Sequence, residues 1–195
     1  RTQLLEGLDD QQRAVAEAPA GPIAVIAGAG TGKTRTMTYR IAARVAAREI
    51  NPTSVLAITH SRKAASEFRE RLEQIGVRGA TVRTFHAHAL ALLRSTRENV
   101  NVLDGSGRWQ MLRSQVREHV GDVSDAELRD IVDEIGWAQA QTIRPEEIAS
   151  HSSGQRDIDP RVLEPIFAGY EAAKRHAAVL DFSDLLSEAT ADANG

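Results

Sequence analysis

The hydrophobic positions change their period twice along the chain. Ile23-Ala24-Val25-Ile26 is a short, β-branched run that ends in Gly28-Ala29-Gly30-Thr31-Gly32. That pattern predicts a buried parallel strand feeding a glycine loop. Met37, Ile41 and Val45 then recur every four residues on one helical face, with Arg40, Arg44 and Arg48 on another, and Asn51-Pro52 stops the helix. The cycle repeats, with a strand over 55–59, a helix over 63–75 closed by Gly76, a strand over 80–85 and a helix from His86 to about Arg94. Strand and helix in alternation predict a parallel sheet covered on both faces.

After Arg97 the period becomes helical. Residues 100–103 suit one more strand, but 108–120, 126–137, 145–150 and 160–175 all read as helices, with a polar loop over 151–155. Asp181-Phe182-Ser183-Asp184-Leu185-Leu186 then reads as a return towards the α/β core, with an acid capping its start. The expected organisation is an α/β core over 1–94, an all-helical insertion over 95–175 and a returning segment over 176–195. A core that resumes so near the last residue suggests a fragment of a longer protein.

Composition narrows the chemistry. With 195 residues, 42% hydrophobic and 26% charged, the chain has the make-up of an ordinary soluble globular protein. The absence of cysteine excludes a disulfide framework, a thiol nucleophile and a thiolate zinc site. The longest apolar run, 23–30, is far shorter than the ~20 residues of a membrane helix. No basic stretch leads into a long apolar one, so the expectation is a cytoplasmic protein with no membrane partner. The net charge of −3 conceals a polarity. Residues 33–97 hold thirteen basic and four acidic side chains, whereas 98–195 hold nine basic and nineteen acidic. A phosphate-bearing partner is therefore drawn to the first half.

The strongest chemical signal is Ala27-Gly28-Ala29-Gly30-Thr31-Gly32-Lys33-Thr34, a Walker A phosphate loop with Ala at its first glycine position. That position only has to be small. Gly30 and Gly32 free the backbone to turn successive N–H groups onto one anion, and the helix that follows aims its positive end at the same place. Lys33 suits the β- and γ-phosphates, and the Thr34 hydroxyl suits Mg2+. Upstream, Gln12 carries an amide that can donate and accept together, as the edge of adenine requires.

Other conspicuous residues have plainer readings. His60, His86 and His88 do not make a metal site, because positions two apart on a helix diverge. His86 fits either a contact to a phosphate-bearing partner or packing at the sheet edge. Trp109, Trp137 and Phe167 lie on apolar helical faces and read as core. Asp133-Glu134 and Glu146-Glu147 read as solvated helix faces, since sequence neighbours point apart.

Four segments in order resemble the Q motif and motifs I, Ia and Ib of UvrD/Rep-type superfamily 1 DNA helicases. They are Leu8-Asp9-x-x-Gln12-Arg13, the loop 27–34 with Arg35, Val55-Leu56-Ala57-Ile58-Thr59 with Lys63-Ala64-Ala65-x-Glu67, and Thr84-Phe85-His86. Glu134-Ile135-Gly136-Trp137-Ala138, Tyr170-Glu171-Ala172-Ala173-Lys174 and Asp181-Phe182-Ser183-Asp184-Leu185 extend the likeness over almost the whole chain. The Arg- and Ala-rich composition is most similar to actinobacterial members.

The resemblance implies an incomplete RecA-like P-loop sheet, subdomain 1A, with an inserted helical subdomain, 1B. It implies that ATP and Mg2+ are the cofactors and that Gln12 reads adenine. Ala27, Gly28, Ala29, Gly30, Thr31, Gly32, Lys33 and Thr34 would hold the phosphates, Thr34 would carry the Mg2+ and Arg35 would lie near the nucleotide. Thr59, His60, Ser61, Arg62, Thr84, Phe85 and His86 would touch single-stranded DNA. These loops fall at the C-terminal ends of parallel strands, where open α/β sheets bind ligands.

The whole protein would be a 3′ to 5′ helicase of DNA repair or replication. It would act on single strands and single/double-strand junctions, with the remaining domains of the same polypeptide as partners and the isolated fragment a monomer. The family reads Thr-Phe-Thr-Asn-Lys-Ala-Ala where this chain has Thr59-His60-Ser61-Arg62-Lys63-Ala64-Ala65, so an imidazole replaces the stacking phenyl ring. The Walker B acids fall beyond 181–185, and the chain alone is expected to hydrolyse ATP poorly. The rival readings are a non-catalytic DNA-binding module with a relic loop, and the helicase subunit of a recombination helicase-nuclease.

Overall fold

The computed structural model describes residues 2–151 and 158–194, and the chain divides after His88 into two units. The first unit carries α1 (Thr2–Leu5), α2 (Asp10–Glu17), α3 (Lys33–Ala46), β1 (Leu56–Thr59), α4 (Arg62–Gln74) and β2 (Thr81–Thr84). α5 (Phe85–Thr96) begins there and runs through the division. Local chemistry sets the helix starts. Asp9 and Gln12 close a reciprocal capping box on α2, and the Ser61 hydroxyl accepts from the Ala64 N–H at the start of α4. β1 and β2 pair in parallel, with Leu56 opposite Thr81 and Thr59 opposite Thr84. Their inward faces bury Ala57 and Val82 against Ala42 of α3 and Ala65, Phe68 and Leu72 of α4. A smaller cluster of Leu5, Leu8, Ala16 and Ala43 packs α2 onto α3.

The expected strand over 23–26 is not formed. Its residues form no regular element and pair with no strand among the described residues, and Ile23, Val25 and Ile26 are 43%, 39% and 99% exposed. β-branched residues favour a pleated, half-buried surface, and a strand exists only where a neighbour takes up its N–H and C=O groups. The single covered sheet is likewise not observed; two separate parallel pairs of strands are present among the described residues.

The second unit contains β3 (Asn101–Val102), α6 (Gly105–His119), α7 (Asp125–Ala140), α8 (Pro160–Ala177), β4 (Val179–Leu180) and α9 (Asp184–Asn194). Residues Pro145–Ser150 form a tighter 3-10 turn in place of the expected helix. Apart from His151, the polar loop 151–155 lies outside the described residues. Leu112 and Val116 of α6, Leu128 and Ile135 of α7, and Ile166, Phe167 and Tyr170 of α8 make one core, with Trp109 and Trp137 packed on it. Burial of each such leucine or isoleucine contributes about 1.5–3 kcal/mol. A second cluster joins Ala89 and Leu93 of α5 to Leu185 and Ala189 of α9, and β4 pairs in parallel with β3.

Glu134 departs from its expected solvated face: it is 4% exposed, because α7 buries Ile131, Val132, Ile135 and Ala138 around it. No described helix is long and apolar enough to cross a membrane.

Candidate functional site

The glycine loop takes the geometry its residues allow. Gly30 and Gly32 have φ of +77° and +82°, the left-handed region that side chains with a Cβ avoid. A Cβ on Gly32 would also meet the Gln12 side-chain nitrogen at 3.0 Å. Asp9, Ser61, Asp104, Ser124 and Asp159 cap their own helices, whereas α3 starts at Gly32 with no side-chain cap. Its first N–H groups and the positive end of its dipole are thus offered to an anion. The loop is braced internally by Thr31 Oγ1 donating to the Gly28 carbonyl at 2.9 Å. Lys33 Nζ donates to the carbonyls of Ala27 and Gly28. An ammonium carries three protons, so it can hold the loop and a phosphate oxygen together.

Beside the loop lies a cavity of about 580 Å³, lined by Asp9, Gln11, Gln12, Val15, Val25, Ile26, Ala27, Gly28, Thr31, Lys33 and Thr36. Its volume lies within the usual range for small-molecule and cofactor sites. Its lining combines the Lys33 ammonium and the backbone of the glycine loop with the apolar side chains of Val15, Val25 and Ile26. That mixture suits a triphosphate and an aromatic base. Gln12 lines the same cavity: its carbonyl oxygen faces the Asp9 N–H at 3.4 Å and its Nε2 donates to the Thr31 carbonyl at 3.1 Å. Arg35 turns away from the loop, donating to the Gly7 carbonyl at 2.7 Å and lying 5.7 Å from the Tyr39 ring.

The second group of sequence-selected residues meets at the ends of β1 and β2. The register sets Thr59 beside Thr84, so the loops that follow them are neighbours. Ser61 is spent on capping α4, and Thr59 Oγ1 donates to the Ser61 carbonyl at 3.1 Å. Beyond them the rings of His60 and Phe85 lie 5.3 Å apart and tilted by 42°, with Phe85 45% exposed. An exposed aromatic pair next to the exposed Arg62 is a surface on which a base can stack while a phosphate is held. Burial holds His86 below the ordinary imidazole range, so it faces neutral pH largely uncharged.

Two buried cations escaped the pattern of the sequence. Arg40, expected on a polar face of α3, is 7% exposed, and its guanidinium donates to the carbonyls of Val15, Ala18 and Pro19. Lys174 is 2% exposed and lies among Asp184, Glu171 and Asp181 at 2.7, 3.0 and 3.1 Å. Asp181 also accepts from the Tyr170 hydroxyl and the Gln139 amide, and from the N–H groups of Ser183 and Asp184. Burial works to raise the Asp181 pKa, but the Lys174 ammonium and these donors outweigh it and bring it down to about 2. The three carboxylates converge within 4.8 Å, and the Lys174 ammonium fills the place a metal cation would take. The spacings Glu171-x-x-Lys174 and Asp181-x-x-Asp184 were the only trace of this cluster in the sequence.

The profile described as the UvrD/REP helicase N-terminal domain matches residues 8–193. The ATP-dependent DNA helicase UvrD2 of Mycobacterium tuberculosis is 39% identical over 94% of this chain and 29% of its own length. The ATP-dependent DNA helicase PcrA of Bacillus subtilis is 33% identical over 94% of the chain and 26% of its own. DNA helicase II of Escherichia coli is 30% identical over 95% and 26%. The chain thus spans between a quarter and three tenths of the length of these relatives.

Proposed function

Because the chain belongs to the UvrD/REP helicase N-terminal domain family, we propose that it is the ATP-binding part of a DNA helicase that moves 3′ to 5′ on single-stranded DNA. The observation that carries this reading is the uncapped start of α3 behind Gly30 and Gly32, opening on the same cavity as Gln12. The α3 amides and Lys33 hold the β- and γ-phosphates, and Gln12 meets the adenine edge. By the family likeness the hydroxyl of Thr34, exposed in the first turn of α3, would hold Mg2+, which when bound supplies charge that neutralises the phosphates. Arg35 reaches the nucleotide by leaving the Gly7 carbonyl.

Residues 1–94 with 176–195 form the core and 95–175 the insertion in this reading. The division rests on the family likeness; the contacts of α9, to Ala89 and Leu93 of α5 and through Asp184 to Lys174 of α8, lie within the second unit. In the intact polypeptide a second RecA-like half closes on bound ATP and reopens after hydrolysis, so the grip on the strand alternates. The work is cytoplasmic repair or replication at single/double-strand junctions. An intact loop, with its lysine in place, speaks against a relic module.

The test is ATP hydrolysis by the intact polypeptide with and without single-stranded DNA. Stimulation by the strand is the expected result, and its absence removes the motor reading. Changing His60 and Arg62 together to Ala is expected to weaken single-strand binding about tenfold and to lower the salt slope by about 0.7, the share of one phosphate contact. An unchanged slope across a salt series removes Arg62 from the interface.

A further inference from the structure

The helix that carries Gln12 is held at both ends. At its start, the Gln12 amide closes the capping box and donates to the Thr31 carbonyl of the glycine loop. At its end, α2 has neither a glycine nor a basic residue of its own: the C-cap is Ala18, with φ −52° and ψ 139°, and the last turn contains no cation. Helices that end so leave carbonyls without partners. Arg40 supplies the missing donors from α3. One guanidinium nitrogen donates to Val15 O at 2.8 Å and Ala18 O at 2.7 Å, and the other donates to Pro19 O at 3.0 Å. A planar fork makes three such bonds at little entropic cost, and its positive charge faces the negative end of the α2 dipole.

Arg40 lies seven residues beyond Lys33 on one continuous helix, about 10 Å along the axis. The helix that presents phosphate ligands at its start therefore grips the adenine-reading helix from its second turn. We propose that Arg40 is a positioning residue that sets where α2 presents Gln12 to the base, and so governs nucleotide selectivity without touching the nucleotide. This rests on the reading of the cavity as an ATP site with Gln12 at the base.

The consequence is a division of labour along α3. Loss of Arg40 loosens α2 and blunts recognition of the base, while the phosphate end keeps its glycine loop, Lys33 and Thr34. In the intact polypeptide, Arg40→Met, which keeps the length of the side chain and removes every donor, is expected to raise KM for ATP about tenfold, the size of one lost hydrogen bond of ordinary strength. KM for GTP and kcat at saturating ATP should change less than about threefold, so the ATP preference falls with KM. Arg40→Lys, which retains the charge and part of the donor set, should lose less of the preference, and its measurement suffices if the methionine variant does not fold. Gln12→Ala should lose the preference to the same extent, and adding Arg40→Met to it should cost little more, since both act through one contact.

Equal rises in KM for ATP and GTP, unaltered selectivity, or additive losses in the double variant would each overturn the proposal. Should Gln12→Ala leave the ATP preference intact, the base-reading role of Gln12 is what fails, and the role of Arg40 falls with it. Near-normal turnover in a Lys33 variant would instead point to failure of the ATP site itself.

Discussion

Lys33→Ala in the intact polypeptide is expected to lower DNA-stimulated ATP hydrolysis by about 10²–10³-fold or more, the effect of deleting one preorganised charge partner of a transition state. The ammonium bridges the loop carbonyls of Ala27 and Gly28, in line with the uncapped amides of α3. Charge that moves onto the leaving oxygens meets no other side-chain cation within residues 27–34 themselves, where Lys33 is the one basic residue. Removing the ammonium should leave the fold intact, because Lys33 is exposed and buries no core surface. Steady-state hydrolysis at saturating single-stranded DNA, with thermal unfolding as the control, gives the answer. Turnover within a few-fold of the parent would refute the assignment of the loop.

The second large effect is on stability. Lys174→Ala is expected to destabilise the helical unit of this chain by about 3–5 kcal/mol, because it strands the buried Asp181 carboxylate. Lys174 and Asp181 are 2% and 1% exposed, so water cannot replace the lost partner. The pH dependence follows from the direction of each shift. Asp181 titrates at about 2 in the folded chain against 3.8 ordinarily, so its contribution is complete above pH 3.8 and is lost as pH falls through 2. That amounts to about 2 kcal/mol at neutral pH. Burial disfavours the Lys174 ammonium, but Asp184, Asp181 and Glu171 together raise its pKa. Its contribution is therefore complete below 10.5 and is lost as pH rises through the higher folded value. Urea denaturation followed by Trp109 and Trp137 fluorescence from pH 2 to 5 should show Asp181→Asn flattening the acid limb. A cost below about 1 kcal/mol for Lys174→Ala would mean that the cluster is a surface-like pair.

Elements whose signals are local were legible before any coordinates. Gly30 and Gly32 announced a backbone freed to turn its N–H groups onto one anion, and the period of Met37, Ile41 and Val45 announced α3; the caps at Asp9 and Ser61 came only with the structure. His60 and Phe85 could be named as candidate contacts through the family likeness alone. Their mutual stacking could not, since it depends on the register that places Thr59 beside Thr84.

The misreadings share a cause. Arg40 sits at a position whose period and charge match an exposed face, and its helix does not reveal that the carbonyls of Val15, Ala18 and Pro19 surround it; for Lys174, likewise, Asp181 and Asp184 lie outside its own helix. Residues 23–26 show the converse: a strand-like composition without a ladder partner among the described residues stays irregular and exposed.

Order of elements, the phosphate loop and the family likeness follow from residues adjacent in the chain, because backbone conformation and capping are decided within a few bonds. Which cations are buried, which strands pair and where Gln12 points follow from contacts between residues far apart in the chain. Those contacts arise only when hydrogen-bonding groups removed from water must find partners, and the nearest ones are set by the folded packing.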